Sequence, residues 1–461
     1  MKISELQTAK TLVVGMGRSG LAALELLRRK GVTATATDLQ PLEAMPPDTA
    51  ARLDALGVPF AVQRDAVFEG VDLIVLSPGV PADLPPLRAA AARGAKVIGE
   101  VELAGLFLKG GTIGITGSNG KTTTTALTGH ILRESGIPAQ VGGNIGNPPA
   151  NMVASSRAGQ WNVLELSSFQ LETTDKFRVA IAAILNLTPD HLDRHYTLES
   201  YAAAKRRILE TQTAGGRAVL NADDGICREF GEITREPAVW FSSRRRLDTG
   251  LWIEGGHIRY DGQRLIDLRD IPLRGIHNAE NVMAAAAAAH LAGADLEAVA
   301  AAVRTFPGVE HRLEHVCSVN GVDYFNDSKA TNVDAALKAI GAFQGGLWII
   351  LGGKDKGSDY TPLQGPLKEK ARAALLIGTA AAKISNHLGG AVEEIRCGTM
   401  ERAVEEASRR ARPGDTVLLA PACASFDQFD SYEHRGQVFK SLAAKLGADS
   451  EQARKGEANC V

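Results

Sequence analysis

Residues 111–134 constrain this chain more than any other stretch. Gly111 to Thr116 sets apolar residues on alternate positions and reads as a short buried strand. Thr122 to Glu134 reads as a helix, with Leu127 and Ile131 on one face and Gly136 as its stop. Between them runs Gly117-Ser118-Asn119-Gly120-Lys121-Thr122-Thr123. A glycine-rich turn from strand into helix leaves backbone N–H groups able to converge on a phosphate. The helix start adds partial positive charge, Lys121 adds a full one, and Thr122 offers a hydroxyl to Mg²⁺. The strict phosphate-loop pattern asks for glycine at Ile115, whereas this chain has it one place early, at Gly114, and again at Gly117. A solvated lysine in a glycine-rich turn is the plain alternative. The order strand, turn, Gly-Lys-Thr, helix favours a nucleotide phosphate.

A length of 461 residues leaves room for about three domains, and 44% hydrophobic with 23% charged residues lets each bury a core. The net charge of -2 offers no positive surplus for a nucleic acid, so none is expected as partner. Cysteines at 227, 317, 397, 423 and 460 form no Cys-x-x-Cys pair. Neither a disulfide framework nor a zinc site is expected, and a reducing cytoplasm fits. The N-terminal MKISELQTAK lacks an apolar signal region, and no run is long and apolar enough to span a bilayer, so secretion and membrane insertion are disfavoured.

The first segment invites a different reading. Thr11 to Val14 reads as a strand, Gly15-Met16-Gly17-Arg18-Ser19-Gly20 matches G-x-G-x-x-G, Leu21 to Lys30 reads as a helix, and a strand from Val32 to Thr37 ends on Asp38. Asp38 stands where a dinucleotide fingerprint places its ribose-binding acid. The same glycine spacing also packs a helix onto a strand, so a Rossmann-like fold is expected while a nicotinamide cofactor is not favoured. A strand from Asp72 to Leu76 ends in Ser77-Pro78-Gly79, a ligand-binding position in an open α/β sheet.

Three more apolar runs follow in the middle segment, Asn162 to Leu166, Val179 to Leu187 and Arg217 to Asn221, each with the length of a buried parallel strand. Their ends carry Glu165 with Ser167-Ser168-Phe169-Gln170, then Asn186 through His191, then Asn221-Ala222-Asp223-Asp224. Ligands sit at such ends, so Lys121, Glu165 and His191 are expected to face one crevice. Glu165 suits Mg²⁺. His191, among Asp190, Asp193, Arg194 and His195, fits a ligand and a solvated turn equally. Lys205-Arg206-Arg207 on the helical stretch Leu198 to Thr211 reads from spacing alone as a solvated face. Gly255-Gly256 and Asp261-Gly262 punctuate a small antiparallel meander. Asn278 and Asn281 share a helix face, with capping as the plain reading. Strand–helix alternation restarts near Phe306-Pro307-Gly308, with strands Val322 to Asn326, Leu347 to Leu351, Ala374 to Ile377 and Thr416 to Ala420. The polar tail Asp449 to Val461 is expected to be disordered.

Together the motifs GITGSNGKTT, GGNIGNPP, LELSSFQLE, LNLTPDHLDRH, HNAEN, EHRLE, NDSKATN, LGGKDKG and PACASFDQF, in one collinear order, resemble the Mur ligase family, ATP-dependent amide ligases of bacterial cell-wall synthesis. The family's phosphate loop also lacks the strict first glycine. The resemblance falls on the branch that adds D-glutamate to UDP-N-acetylmuramoyl-L-alanine, making peptidoglycan precursor.

It implies three α/β domains: 1–102, Rossmann-like, for the UDP-sugar; 103–308, a P-loop parallel sheet with a small antiparallel sheet, for ATP; and 309–461, Rossmann-like, for the amino acid. It implies that Gly117, Ser118, Asn119, Gly120, Lys121, Thr122 and Thr123 hold ATP phosphates, with Thr122 and Glu165 on one Mg²⁺. His191 and Lys205, the latter as a carbamate, hold a second. Asn278, Arg312 and Asp327 help hold ATP, and Lys329 lies near the transferred phosphoryl group. Asp38, Ser77, Pro78, Gly79, Asn144, Ser167 and Gln170 correspond to UDP-sugar contacts, and Thr331, Lys356, Ser425 and Tyr432 to the D-glutamate pocket. Lys121, His191, Lys205 and Lys329 are the catalytic set. A cytoplasmic monomer is implied.

The chain departs from the pattern at Tyr432, where Phe is frequent, and at Leu39 and Gln40, where some members have Thr-Arg. An oxidoreductase would leave Gly-Lys-Thr unexplained. A P-loop switch would call for a guanine-reading Asn-Lys-x-Asp or an Asp-ended Walker B strand, and the chain has neither.

Overall fold

The computed structural model describes residues 3–234 and 236–458. Three α/β domains are present, each built on one sheet. In the first, β1 (Thr11–Val14), β2 (Ala34–Asp38), β3 (Phe60–Val62), β4 (Leu73–Leu76) and β5 (Lys96–Gly99) lie in the order β3-β2-β1-β4-β5. All four pairings are parallel. β1 and β4 are buried throughout, as continuous apolar runs covered on both faces should be. The helix Arg18–Arg29 packs on this sheet through Leu21, Leu24 and Leu27. Gly20 makes that packing close: a Cβ there would sit 1.9 Å from Gly15 O. The third glycine of the G-x-G-x-x-G run thus serves helix–strand approach.

The second sheet has nine strands: β6 (Gly111–Thr116), β7 (Ala139–Gly143), β8 (Trp161–Glu165), β9 (Val179–Ile184), β10 (Gln212–Asn221), β11 (Val239–Ser242), β12 (Leu251–Glu254), β13 (His257–Tyr260) and β14 (Gln263–Asp267). Their order is β14-β13-β12-β11-β10-β9-β6-β8-β7. The strands β6 to β12 pair in parallel, and β12, β13 and β14 form the antiparallel meander. The meander is joined edge-on to the parallel strands through β11, so one sheet carries both parts. The third sheet, β15 (Glu314–Val319), β16 (Val322–Asn326), β17 (Leu347–Gly352), β18 (Ala371–Ile377), β19 (Glu393–Gly398) and β20 (Thr416–Leu419), is ordered β15-β16-β20-β17-β18-β19. Only the β15–β16 pair is antiparallel.

Packing groups these sheets into two compact units. One holds the first and second sheets, up to Asp270 and again over Glu280–Phe306; the other holds Ile271–Ala279 and the chain from Pro307 onward. The tail expected to be disordered instead continues the helix Tyr432–Ala458. Ala, Glu, Gln, Lys and Arg dominate it, and these are strong helix formers with no proline to stop them. Residues 459–461 lie outside the described residues. Among the described residues, no helix is long and apolar enough to cross a membrane.

Candidate active site

The strand β6 sits between β8 and β9, where the strand order reverses, so the C-terminal ends of all three open on one crevice. Register puts Glu165 beside Ile115 and Ile184 beside Thr116. Gly120 (φ 86°) starts the helix Lys121–Glu134 with no side-chain cap, and a Cβ on it would come within 2.2 Å of Asn281 Oδ1. Such a start turns its first N–H groups toward an incoming anion. Two of the loop N–H groups have partners within the protein. Ser118 N–H goes to Asn186 O (2.8 Å) and Asn119 N–H to Asn186 Oδ1 (2.9 Å), while Asn186 Nδ2 returns to Asn119 O (3.1 Å). Asn186 therefore holds the loop's shape, and Gly120 to Thr123 make up the helix start itself. Lys121 Nζ bridges Gly117 O (2.9 Å) and Ser118 O (2.8 Å) across the loop.

Thr122 Oγ1 donates to Glu165 Oε2 at 2.8 Å, and both residues are buried. Asn144 Nδ2 holds the other carboxylate oxygen at 3.0 Å. Two hard oxygens this close, beside a phosphate loop, form a donor set that fits Mg²⁺.

Lys205 overturns its solvated-face reading. Arg206 beside it stays near the surface, paired with Glu210, but Lys205 is 1% exposed. Its Nζ reaches Gly117 O (3.0 Å) and Thr116 Oγ1 (3.2 Å) and lies 4.7 Å over the Tyr201 ring. Burial, then the charge of Lys121, hold its ammonium pKa well below the ordinary value, against the opposing pull of Asp190 and Glu165. A lowered pKa favours the neutral amine, which is the form that can take up CO₂. His191 lies on the next strand's loop in a left-handed conformation (φ 53°), its Nε2 3.7 Å from Asp190 Oδ2 and its ring against Phe169.

The UDP-sugar candidates fall in the same unit. Asp38 accepts from Met16 N (2.6 Å) and Gln40 N (3.0 Å), Ser77 Oγ donates to Gly15 O (2.7 Å), and Pro78 and Gly79 follow at the end of β4. Ser167 and Gln170 form a reciprocal capping box on the short helix Ser168–Leu171. Sequence reasoning missed the acids that join the first two sheets. Glu102 accepts N–H bonds from Asp175, Lys176 and Phe177 at 2.8–2.9 Å. Glu100 accepts one from Ala150 (2.6 Å), and burial pushes its carboxyl up to about 8. Arg194 ties Glu172 and Val80 O together. Two acids inside the apolar run from Val97 to Leu106 were the only available signal.

In the second unit, Asp327, Lys329 and Thr331 follow β16, Ser425 follows β20 and Lys356 follows β17, so adjacent strands deliver them to one sheet edge. Burial raises the Asp327 carboxyl to about 6 against the pull of Arg312. Lys329 Nζ donates to Tyr432 Oη (2.8 Å). Lys356 is exposed and Ser425 buried. Asn278 Nδ2 donates to Arg274 O (2.7 Å), just ahead of its helix. Arg435, which no sequence signal marked, is fully buried. It donates to Ser328 Oγ and O and to Cys423 and Ala424 O, tying together the loops after β16 and β20. Glu310, His311 and Glu314 cluster nearby, but Lys440 pairs with both glutamates (2.8 and 2.6 Å).

Comparison with known proteins agrees with this layout. Residues 9–99 match the Mur ligase MurD-like N-terminal domain, 115–289 the Mur ligase middle domain, and 311–423 the Mur ligase glutamate ligase domain. A protein of Solibacter usitatus named UDP-N-acetylmuramoylalanine--D-glutamate ligase is 60% identical over 96% of this chain and 99% of its own length. One of Acidobacterium capsulatum with the same name is 51% identical over 97% and 99%. Among solved structures, a UDP-N-acetylmuramate-alanine ligase of Thermotoga maritima shares the fold at TM-score 0.62 and 17% identity, over 95% of this chain and 99% of that one. The three domain matches and relatives of this identity along nearly the whole length place the chain: it belongs to the Mur ligase family, on its MurD-like branch.

Proposed function

We propose that this chain joins D-glutamate to UDP-N-acetylmuramoyl-L-alanine, with ATP as co-substrate, releasing ADP and phosphate in peptidoglycan precursor synthesis. The observation that carries the reaction class is the buried Thr122–Glu165 oxygen pair beside the Lys121 loop. The near-full-length relatives named for this activity support the choice of substrates.

A carboxylate and an ammonium do not condense in water. The muramoyl-alanine carboxylate takes the γ-phosphoryl group of ATP to give an acyl phosphate and ADP; the amine of D-glutamate then attacks the acyl carbon, and phosphate leaves. In our reading the helix start and Lys121 hold and neutralise the phosphates. Thr122 and Glu165 hold one Mg²⁺, and His191 with carbamylated Lys205 a second; bound there, Mg²⁺ supplies charge neutralisation to the transferring group. Asn278, Arg312 and Asp327 hold ATP, and Lys329 acts near the moving phosphoryl group. The loops of Asp38, Ser77–Gly79, Asn144, Ser167 and Gln170 take the nucleotide sugar. Thr331, Lys356, Ser425 and Tyr432 take D-glutamate. We assign these three roles to residues 1–102, 103–308 and 309–461, in a cytoplasmic monomer.

Mass spectrometry of a complete reaction tests the proposal: the UDP-sugar is expected to gain one glutamyl residue for each ADP formed. ADP formation without that product would overturn it.

A further inference from the structure

His195 has no part in the roles above, yet it is only 6% exposed, one turn beyond His191. The helix Leu192–His195 is a single turn that begins from left-handed His191. One turn has no stability of its own, and a non-glycine residue at positive φ is retained only where its surroundings hold it. His195 makes several of the contacts around this turn. Its Nε2 lies 2.9 Å from the buried Ser168 Oγ, and its ring stacks on Phe169, with centroids 5.3 Å apart and planes 19° from parallel. Phe169 meets the His191 ring edge-on at 4.9 Å. Tyr201 closes the group, 5.4 Å from His195 and 6.4 Å from His191, with its hydroxyl 3.1 Å from Ser118 Oγ in the phosphate loop. Ser168 and Phe169 follow Glu165 closely, on the loop after β8.

We propose that His195 is a positioning residue: bonded to Ser168 and stacked on Phe169, it fixes the orientation of the His191 imidazole. The consequence for Mg²⁺ rests on the assignment of His191 under the proposed function; the orientation itself does not. Residues that orient a metal-binding imidazole matter because a ligand ring free to rotate loses its ion more readily.

The test uses the full chain, labelled with ¹³C-histidine, as His195→Phe and Ser168→Ala, each alone and combined with His191→Ala. The His191 ring signal, identified by its loss in His191→Ala, is expected to move and broaden in both single variants. The Mg²⁺ concentration for half-maximal phosphate release is expected to rise about ten-fold, with no further rise when either is added to His191→Ala. Ser168→Ala removes one oxygen and keeps the test open should His195→Phe fold poorly. A His191 signal unchanged in position and width in both variants would overturn the proposal, as would losses that simply add to that of His191→Ala. If the signal moves while His191→Ala leaves the Mg²⁺ requirement untouched, the positioning role stands and the metal assignment of His191 falls.

Discussion

Lys121 and Lys205 donate to the same loop carbonyl, Gly117 O, and differ in what surrounds them. Lys121 lies partly open at the helix start, where its charge can meet phosphate. Lys121→Ala is expected to lower ATP turnover by roughly 100- to 1,000-fold, on the scale of losing a preorganised charge contact, while unfolding free energy moves by under ~2 kcal/mol. Turnover near that of the parent would remove the phosphate assignment. Lys205 is sealed in, with its ammonium pKa held well below the ordinary value; in the proposed carbamate, loss of a proton and addition of CO₂ would turn a +1 group into a carboxylate-like one. Lys205→Ala is expected to abolish ligation and to regain part of it with added short-chain carboxylic acids, while Lys205→Arg stays inactive. Near-normal activity of Lys205→Arg in bicarbonate-free buffer would exclude the carbamate. The type of each lysine was legible in the sequence; the burial of Lys205 was not. A Lys-Arg-Arg run looks the same on a helix whether its first residue faces water or the strand behind it.

At the scale of elements, the strands that deliver the site were readable because they are apolar runs with polar ends: β6, β8, β9 and β16 to β20 all announce themselves this way, β19 excepted. The strands β3, β5 and β7 were not, since they are short or lie at a sheet edge with mixed exposure. The connection between the first two sheets was hidden for another reason. The helix Glu100–Gly105 is anchored by carboxylates whose partners are backbone N–H groups about 50 to 75 residues away, which no local pattern reveals. Glu100 makes a measurable claim. Its folded carboxyl is raised from 4.5 to about 8 by burial, so the native state holds a proton that the unfolded chain releases in that interval. Stability should fall as pH rises through that window and level off above it. Glu100→Gln removes the penalty: it is expected to match the parent near pH 4 and to exceed it by on the order of 3–5 kcal/mol at about pH 9. Urea unfolding across a pH series checks this, and a gap independent of pH would contradict it.

For the whole molecule, the proposed assignment gives the three domains, in chain order, the nucleotide sugar, ATP and the amino acid. The fold class was accessible from alternation alone. Asn186 and Arg194 lie inside a motif that could be read, but their work on loop geometry, like that of Arg435, depends on partners distant in sequence and could not. The central claim is the choice of amino acid. In the proposed pocket Lys356 would offer a cation for a second carboxylate, and Thr331 and Ser425 would offer hydroxyls; a site built to pair a charge rejects analogues that lack it by about 10⁴-fold or more. The most direct measurement is phosphate release with ATP, Mg²⁺ and UDP-N-acetylmuramoyl-L-alanine, supplying one amino acid at a time. D-glutamate alone is expected to drive release, and omission of the UDP-sugar to stop it; equal rates with D-alanine, L-lysine or meso-diaminopimelate would contradict the account.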